Sequence, residues 1–432
     1  MKVTVLKGVL PTRDAELSDI PQKFYTQVDL SVYQKSVNLK VAKQEGHYRS
    51  NQGATITPIP LWAIEFNTYR RKIGGKYQTI PARDEGKYLA KTARWAKDVS
   101  GTGVEKEKWR GIEIAGRISL TNIFTVVTSA WLVPFALAHR YVVHIPAEIK
   151  GKGKQAVISV RHDLADYRTG RLKGWMEPKD DLDETAIADW TRTAQKIWDK
   201  TKTDKSSDLV TDRLDYQKTL SNQKPKSIRV VHTRSRTFYA AVLNPKGTTA
   251  LGLPYDAVKL QTIEGGEIID ETYLPAGGVI CDNLLHSIAV DSEEEAYWMM
   301  GLFNSPIFNK IVMDKALGEP PGIYTLPVKM MDHFGIEFDA SDENHIKLAD
   351  VAKSLEKRMK KTLVNYLSDE KEIRPDFVDD TDQSEDVPST ISSALMNRLD
   401  DQDSLDELNE VAKRILKNDS RKKRMTRLDD AR

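Results

Sequence analysis

The chain has 432 residues, of which 40% are hydrophobic and 30% charged, with 65 Lys and Arg set against 63 Asp and Glu. That length supports two or three domains with sizeable cores. The single cysteine, Cys281, excludes an intramolecular disulfide framework and any metal site built from several cysteines, so no structural metal and a reducing, cytoplasmic setting are expected.

Residues 1–10 alternate apolar and polar positions without the long apolar core of a secretion signal, which predicts a strand. Further strands are expected in residues 54–66, 112–122 and 141–145, with glycines and prolines as punctuation. Between Trp62 and Trp109 lies a basic insertion whose residues 88–97 are expected to form one short helix. The longest apolar stretch, residues 124–137, is interrupted by Pro134 and stops at His139-Arg140, too short for a bilayer span. No membrane partner is expected. A Gly-Lys repeat over residues 150–154 reads as a boundary or loop. Ile187, Trp190, Ala194, Ile197 and Trp198 then recur at helical spacing and predict a helix over 183–200.

Residues 228–232 and 237–243 read as two strands joined by the polar turn Thr233-Arg234-Ser235-Arg236, a hairpin with a cationic tip. Ser292 is placed to cap a helix through Glu293-Glu294-Glu295 to Phe303, and Ser305-Pro306 restarts the chain as a second helix. Leu348, Val351, Leu355, Met359 and Leu363 predict a long helix over 342–366. Residues 368–403 turn acidic and poor in large apolar side chains, the composition of a flexible linker. The segment Ser404-Leu405-Asp406-Glu407 is a capping box ahead of Leu408, Val411, Ala412, Ile415 and Leu416. It predicts a terminal amphipathic helix that docks on a partner or stays as a solvated tail. The fold class expected is α+β. Its parts are a strand-rich lobe over 1–150, a second lobe with the basic hairpin over 151–290, a helical closing segment over 291–366, and a flexible C-terminal tail over 367–432.

The near-neutral charge hides two opposed regions. Residues 367–432 carry 18 acidic and 12 basic side chains, which leaves 53 basic and 45 acidic in residues 1–366, or −6 against +8. Residues 216–246 contain seven Lys and Arg without an acid, and residues 69–97 contain nine against Asp84 and Glu85. Such runs are the footprint of a surface that meets phosphates, although solvated basic loops would look the same. Catalytic signatures are missing: there is no phosphate loop, no His-Glu-x-x-His pair and no nucleophile turn. His139, His144, His286 and His345 read as core histidines, Cys281 as a small buried group, and Gly265-Gly266 as a surface turn. Binding is therefore favoured over catalysis for this chain alone.

Several collinear blocks carry a family resemblance. They are Asn51-Gln52-Gly53-Ala54-Thr55-Ile56-Thr57-Pro58-Ile59-Pro60-Leu61-Trp62, Trp109-Arg110-Gly111-Ile112, Leu132-Val133-Pro134-Phe135 and Val142-Val143-His144-Ile145-Pro146. They continue with Asp212-Arg213-Leu214-Asp215-Tyr216, Ala240-Ala241-Val242-Leu243, Gly301-Leu302-Phe303-Asn304-Ser305-Pro306 and Ile323-Tyr324-Thr325-Leu326-Pro327. Over residues 45–366 the chain resembles the C-terminal target-recognition region of large adenine-N6 DNA methyltransferases of restriction-modification and phage-defence type. The resemblance implies methyl transfer from S-adenosylmethionine to adenine, performed on a separate catalytic half with an Asn-Pro-Pro-Tyr-type motif. That motif is absent here, since Leu243-Asn244-Pro245-Lys246 has Lys in place of the second Pro, and the Glu319-Pro320-Pro321-Gly322 loop also departs from relatives.

The resemblance thus implies a DNA-binding specificity subunit without catalytic residues or cofactor of its own, partnered by double-stranded DNA and a catalytic methyltransferase subunit that holds S-adenosylmethionine. The candidates for base edges are Gln217, Asn222, Gln223, Arg234 and Arg236. Those for phosphates are Arg70, Arg71, Lys72, Lys76, Lys224, Lys226 and Arg229. Two other classes remain open: a defence-system DNA sensor without a methylation role, and a protein–protein adaptor acting through the 342–366 helix and the acidic tail.

Overall fold

The protein's structure, a computed structural model, describes residues 2–6, 25–29, 48–84, 87–98, 106–166, 182–203, 206–233, 239–264, 267–309, 336–371, 395–396, 399 and 401–429. The chain forms two compact units, Met1–Gly46 and His47–Arg432. In the first, strands Lys2–Leu6 and Tyr25–Asp29 pair antiparallel, with Lys2 opposite Asp29 and Leu6 opposite Tyr25. The expected opening strand is present.

The second unit is α+β, with several small sheets closed by helices. Its centre is a four-stranded antiparallel sheet in the order Ala240–Leu243, Arg229–Thr233, Leu285–Ala289, Ser50–Gln52. Beside it strand Ile123–Val127 pairs antiparallel with Tyr141–His144 and parallel with Val279–Cys281. Chain from both expected lobes therefore shares one sheet. The Gly-Lys repeat is no domain boundary: Ala147–Lys150 and Val157–Val160 pair antiparallel, and the repeat lies in their connection. Residues 88–97 also depart from expectation. Lys87–Thr92 is a strand and only Arg94–Asp98 is helical, because Tyr88, Ala90 and Thr92 alternate into the core with period two.

Gly53 is where backbone approaches backbone most closely. Its N–H donates to Leu285 O (2.9 Å), the next N–H donates to Cys281 O (2.7 Å), and a Cβ at position 53 would run into the Asp282 carbonyl. Replacing Gly53 by alanine is expected to destabilise the protein by about 3 kcal/mol, since the obstruction is backbone that cannot swing aside. A urea unfolding midpoint equal to that of the native chain would refute this.

Helix α1 (Leu182–Thr201) turns Trp190, Ala194 and Trp198 into one core, where Trp198 stacks on Trp109 at 5.6 Å and the Trp190 indole donates to Leu61 O (2.9 Å). A second core is closed by α2 (Glu293–Asn304), α3 (Glu343–Lys371) and α4 (Gln402–Asp429). Ser292 caps α2 by accepting the Glu295 N–H at 3.1 Å, as its sequence predicts. Gly301 lets α2 meet α3 closely, because a Cβ there would stand 3.0 Å from that of Ala352.

Two readings of the C-terminal segment need correction. Helix α4 begins a little ahead of the capping box: Asp401 accepts the Ser404 N–H at 3.3 Å, and Ser404 lies inside the first turn. Its apolar stripe docks on this chain's own core, since Leu408, Val411, Ala412 and Ile415 are buried with Leu348, Leu355, Met359 and Leu363. Burying Leu408, Val411 and Ile415 is worth about 1.5–3 kcal/mol each before chain entropy is counted, so the helix belongs to the body. Ion pairs Lys347–Glu407 (2.7 Å) and Arg358–Asp401 (2.5 Å) border the seam. Of the expected linker, 368–371 end α3, Leu395 and Leu399 join the same core, 401–403 lead into α4, and 372–394, 397–398 and 400 lie outside the described residues. Among the described residues no helix is long and apolar enough to cross a membrane.

Candidate nucleic-acid interface

Four of the phosphate candidates stand together on one β-ribbon. Strands β1 (Thr68–Ile73) and β2 (Lys76–Pro81) pair antiparallel, with Ile73 opposite Lys76 across Gly74-Gly75. Both glycines have positive φ, 58° and 90°, the backbone that a tight two-residue hairpin turn demands. Every residue of β1 is exposed. Residues 68–81 contain Arg70, Arg71, Lys72 and Lys76 and no acid.

The ribbon is held through β2 to a second hairpin, β3 (Ala257–Glu264) and β4 (Glu267–Pro275), in the sheet order β4-β3-β2-β1. Gln78 donates to the Glu264 carboxylate at 3.0 Å. Lys76 lies 3.8 Å from the same group with 76% of its side chain exposed, a pair too solvated to hold it. The base of the second hairpin is anchored by Val258, Leu260 and Leu274 in the core. Acidic Glu264, Glu267, Asp270 and Glu271 belong to this second hairpin, so the sheet is cationic at one side and anionic at the other. Gly265 and Gly266, at its turn, lie outside the described residues.

The second candidate region is a pinned loop. Asp215 accepts the N–H groups of Leu220 (3.0 Å) and Ser221 (2.9 Å), which holds residues 215–221 closed. Gln217 and Lys218 both take left-handed backbone, φ 55° and 60°, a costly conformation for two consecutive non-glycine residues. Gln217, Lys218 and Asn222 are exposed on this loop, and the Arg213 guanidinium lies over the exposed Tyr216 ring at 5.5 Å. Lys224 and Lys226 are half-buried, the latter with its ammonium 3.4 Å from Ala276 O.

Gln223 and Arg229 do not belong to a surface. Each is 1% exposed. The Gln223 amide donates to Cys281 O (2.9 Å) and accepts from Cys281 N–H (2.8 Å), while Arg229 donates to Val279 O (2.7 Å) and to Gln223 Oε1 (3.4 Å). Together they clamp the loop and its following strand onto Val279–Cys281, so neither reaches a base or a phosphate. Arg234 and Arg236 lie outside the described residues. The strands that flank them do pair as expected, with Arg229 opposite Leu243 and His232 opposite Ala240.

The titratable groups of the interior behave as core. His144 is fully buried, accepts the Ser119 N–H at 3.1 Å, meets Trp190 edge-on, and is pushed down to about 3 by burial. Burial and then the neighbouring His286 push His232 down to about 3 as well. Burial lifts the Cys281 thiol. Asn244, in the one string that resembles the methyltransferase tetrapeptide, donates to Glu293 (2.6 Å) and accepts from Lys246 N–H (3.1 Å). That side chain is thus committed to a turn. Among the described residues no three His, Cys, Asp or Glu are grouped to hold a metal ion.

Asp282 carries a pH dependence. The residue is half-buried, and desolvation lifts its carboxyl to about 7, against the opposing hydrogen bond from Leu284 N–H (2.9 Å). The unfolded carboxyl releases its proton near ~4, so the stabilising contribution is full below that pH and is lost as pH rises to about 7. Asp282→Asn, which keeps the Leu284 contact, is expected to remove this dependence. The native urea midpoint should fall between about pH 5 and pH 8 relative to the variant's, and parallel profiles would show a carboxyl ionised throughout.

No protein-family model matches the chain, and no curated protein matches it either.

Proposed function

We propose that this chain is the DNA-binding specificity subunit of a split adenine-N6 DNA methyltransferase, a cytoplasmic protein that recognises duplex DNA for a catalytic partner. The observation that carries the DNA-binding part is the ribbon of residues 68–81, four cations without an acid on a strand pair held through β2 to a core-anchored hairpin. Arg70, Arg71, Lys72 and Lys76 hold phosphates there, which fixes register without reading sequence. Gln217 and Asn222 present amides on a loop whose shape Asp215 sets, and such groups pair bidentately with adenine edges. Arg234 and Arg236 remain base-edge candidates from sequence. The methylation part is supported by the resemblance alone: the partner supplies S-adenosylmethionine, whose methyl group passes to the exocyclic amine of adenine.

The test is a salt titration of duplex binding by fluorescence anisotropy. Phosphate recognition predicts that log affinity falls linearly with log salt, by about −0.9 for each contact. Affinity indifferent to salt would remove DNA as the partner. For the methylation part, the chain should co-purify with a protein carrying Asn-Pro-Pro-Tyr, and only the mixture should methylate adenine. Methylation by this chain alone would overturn the split.

A further inference from the structure

The ribbon carries more than phosphate binding requires. Ile73 is 42% exposed and Tyr77 64%, and five of the seven large apolar side chains exposed among the described residues (Tyr69, Ile73, Tyr77, Ile269, Tyr273) stand on this one sheet. Single exposed apolar residues are ordinary, but five on one sheet, three of them on the cationic strand pair, mark a binding surface. Its occupant must be anionic outside and apolar within reach of the tip. Stacked base pairs behind two phosphate backbones meet both conditions.

The pairing register divides the cations. Ile73, Arg71 and Lys76 share one face of the ribbon; Arg70, Lys72 and Tyr77 share the other, with the Lys72 ammonium 6.0 Å from the Tyr77 ring. The tip between them is bare, because Gly74 and Gly75 lack side chains and an added Cβ would meet nothing within 4 Å. With the turn bare, Ile73 is the leading apolar side chain of its face, placed to meet base edges when that face is turned to the minor groove.

We infer that the tip of the ribbon is a DNA wedge. Ile73 enters between neighbouring base pairs from the minor-groove side with its face turned to the groove, Arg71 and Lys76 on that face meet the flanking phosphates, the long side chains of Arg70 and Lys72 reach phosphates past the ribbon's edges, and the duplex kinks toward its major groove. The inference rests on the DNA-binding reading above and deepens it: partial unstacking lowers the cost of taking a target base out of the helix.

The experiment uses the full chain and a duplex of about 30 base pairs with donor and acceptor dyes at its ends, at low salt. Binding should shorten the end-to-end distance by a kink of about 20–90°. Ile73→Ala should abolish that change when read at protein concentrations that saturate the duplex. A minor-groove ligand such as distamycin should compete. Binding without bending, bending retained by Ile73→Ala, or indifference to distamycin would each overturn the wedge and leave DNA binding intact. Absence of any duplex binding would remove the function as well as the wedge.

Discussion

The combined variant Arg70→Gln, Arg71→Gln, Lys72→Gln, Lys76→Gln is expected to lose about 100-fold or more in duplex affinity at near-physiological salt, and to flatten the log–log salt slope by about 3.6. The number follows from four phosphate contacts at about 0.9 each. Over a fourfold rise in salt, four such contacts should cost the native chain about 150-fold in affinity, a loss the variant should not suffer. The fold should be untouched. All of β1 is exposed, Lys76 has only its solvated contact to Glu264, and the Gly74-Gly75 turn remains. A melting temperature equal to the native one would show that the variant reports on the interface alone. Unchanged affinity and slope would reassign the cations. They would then be guards on an open strand edge, where Lys and Arg discourage edge-to-edge pairing between molecules.

Helices were the most legible part of this chain, because each buries a stripe whose spacing is visible in one dimension. Trp190, Ala194 and Trp198 in α1, and Leu348, Leu355, Met359 and Leu363 in α3, are buried as their periods predict. The ribbon was harder to see. Its strands have no apolar face to alternate against, so Tyr69-Arg70-Arg71-Lys72-Ile73 reads as a charge run, and only the Gly74-Gly75 pair between two β-favouring segments signals a hairpin. Residues 88–92 misled for the opposite reason: Leu89 and Ala90 are good helix formers, yet pairing of Leu89 with Arg117 and of Ala90 with Phe66 overrides that preference. The candidate site divides along the same line. Gln223 and Arg229 sit in a basic stretch indistinguishable by composition from Gln217 and Lys218, but their partners Val279 and Cys281 lie fifty or more residues away. A local reading has no means of finding such partners. For α4 the start slipped by three residues because Asp401 and Ser404 are both competent caps.

Replacing Arg229 tests that division with a large effect. Arg229→Ala is expected to destabilise the protein by about 3–5 kcal/mol, through the cavity left by the stem and the loss of the hydrogen bond to Val279 O (2.7 Å). Arg229→Met should cost less, about 1–2 kcal/mol. It fills most of the volume and removes a guanidinium whose burial opposes its charge and which no carboxylate bonds among the described residues, so mainly the stranded Val279 carbonyl is left. Arg229→Lys should resemble the alanine variant, since one ammonium cannot reach both Val279 O and Gln223 Oε1 and keeps the desolvation cost. Urea unfolding ranks the three. Duplex affinity and salt slope should match the native chain in every variant that folds, because this side chain clamps two strands and touches no phosphate. If Arg229→Met kept native stability while the slope fell by about 0.9, the residue would return to the phosphate-binding set.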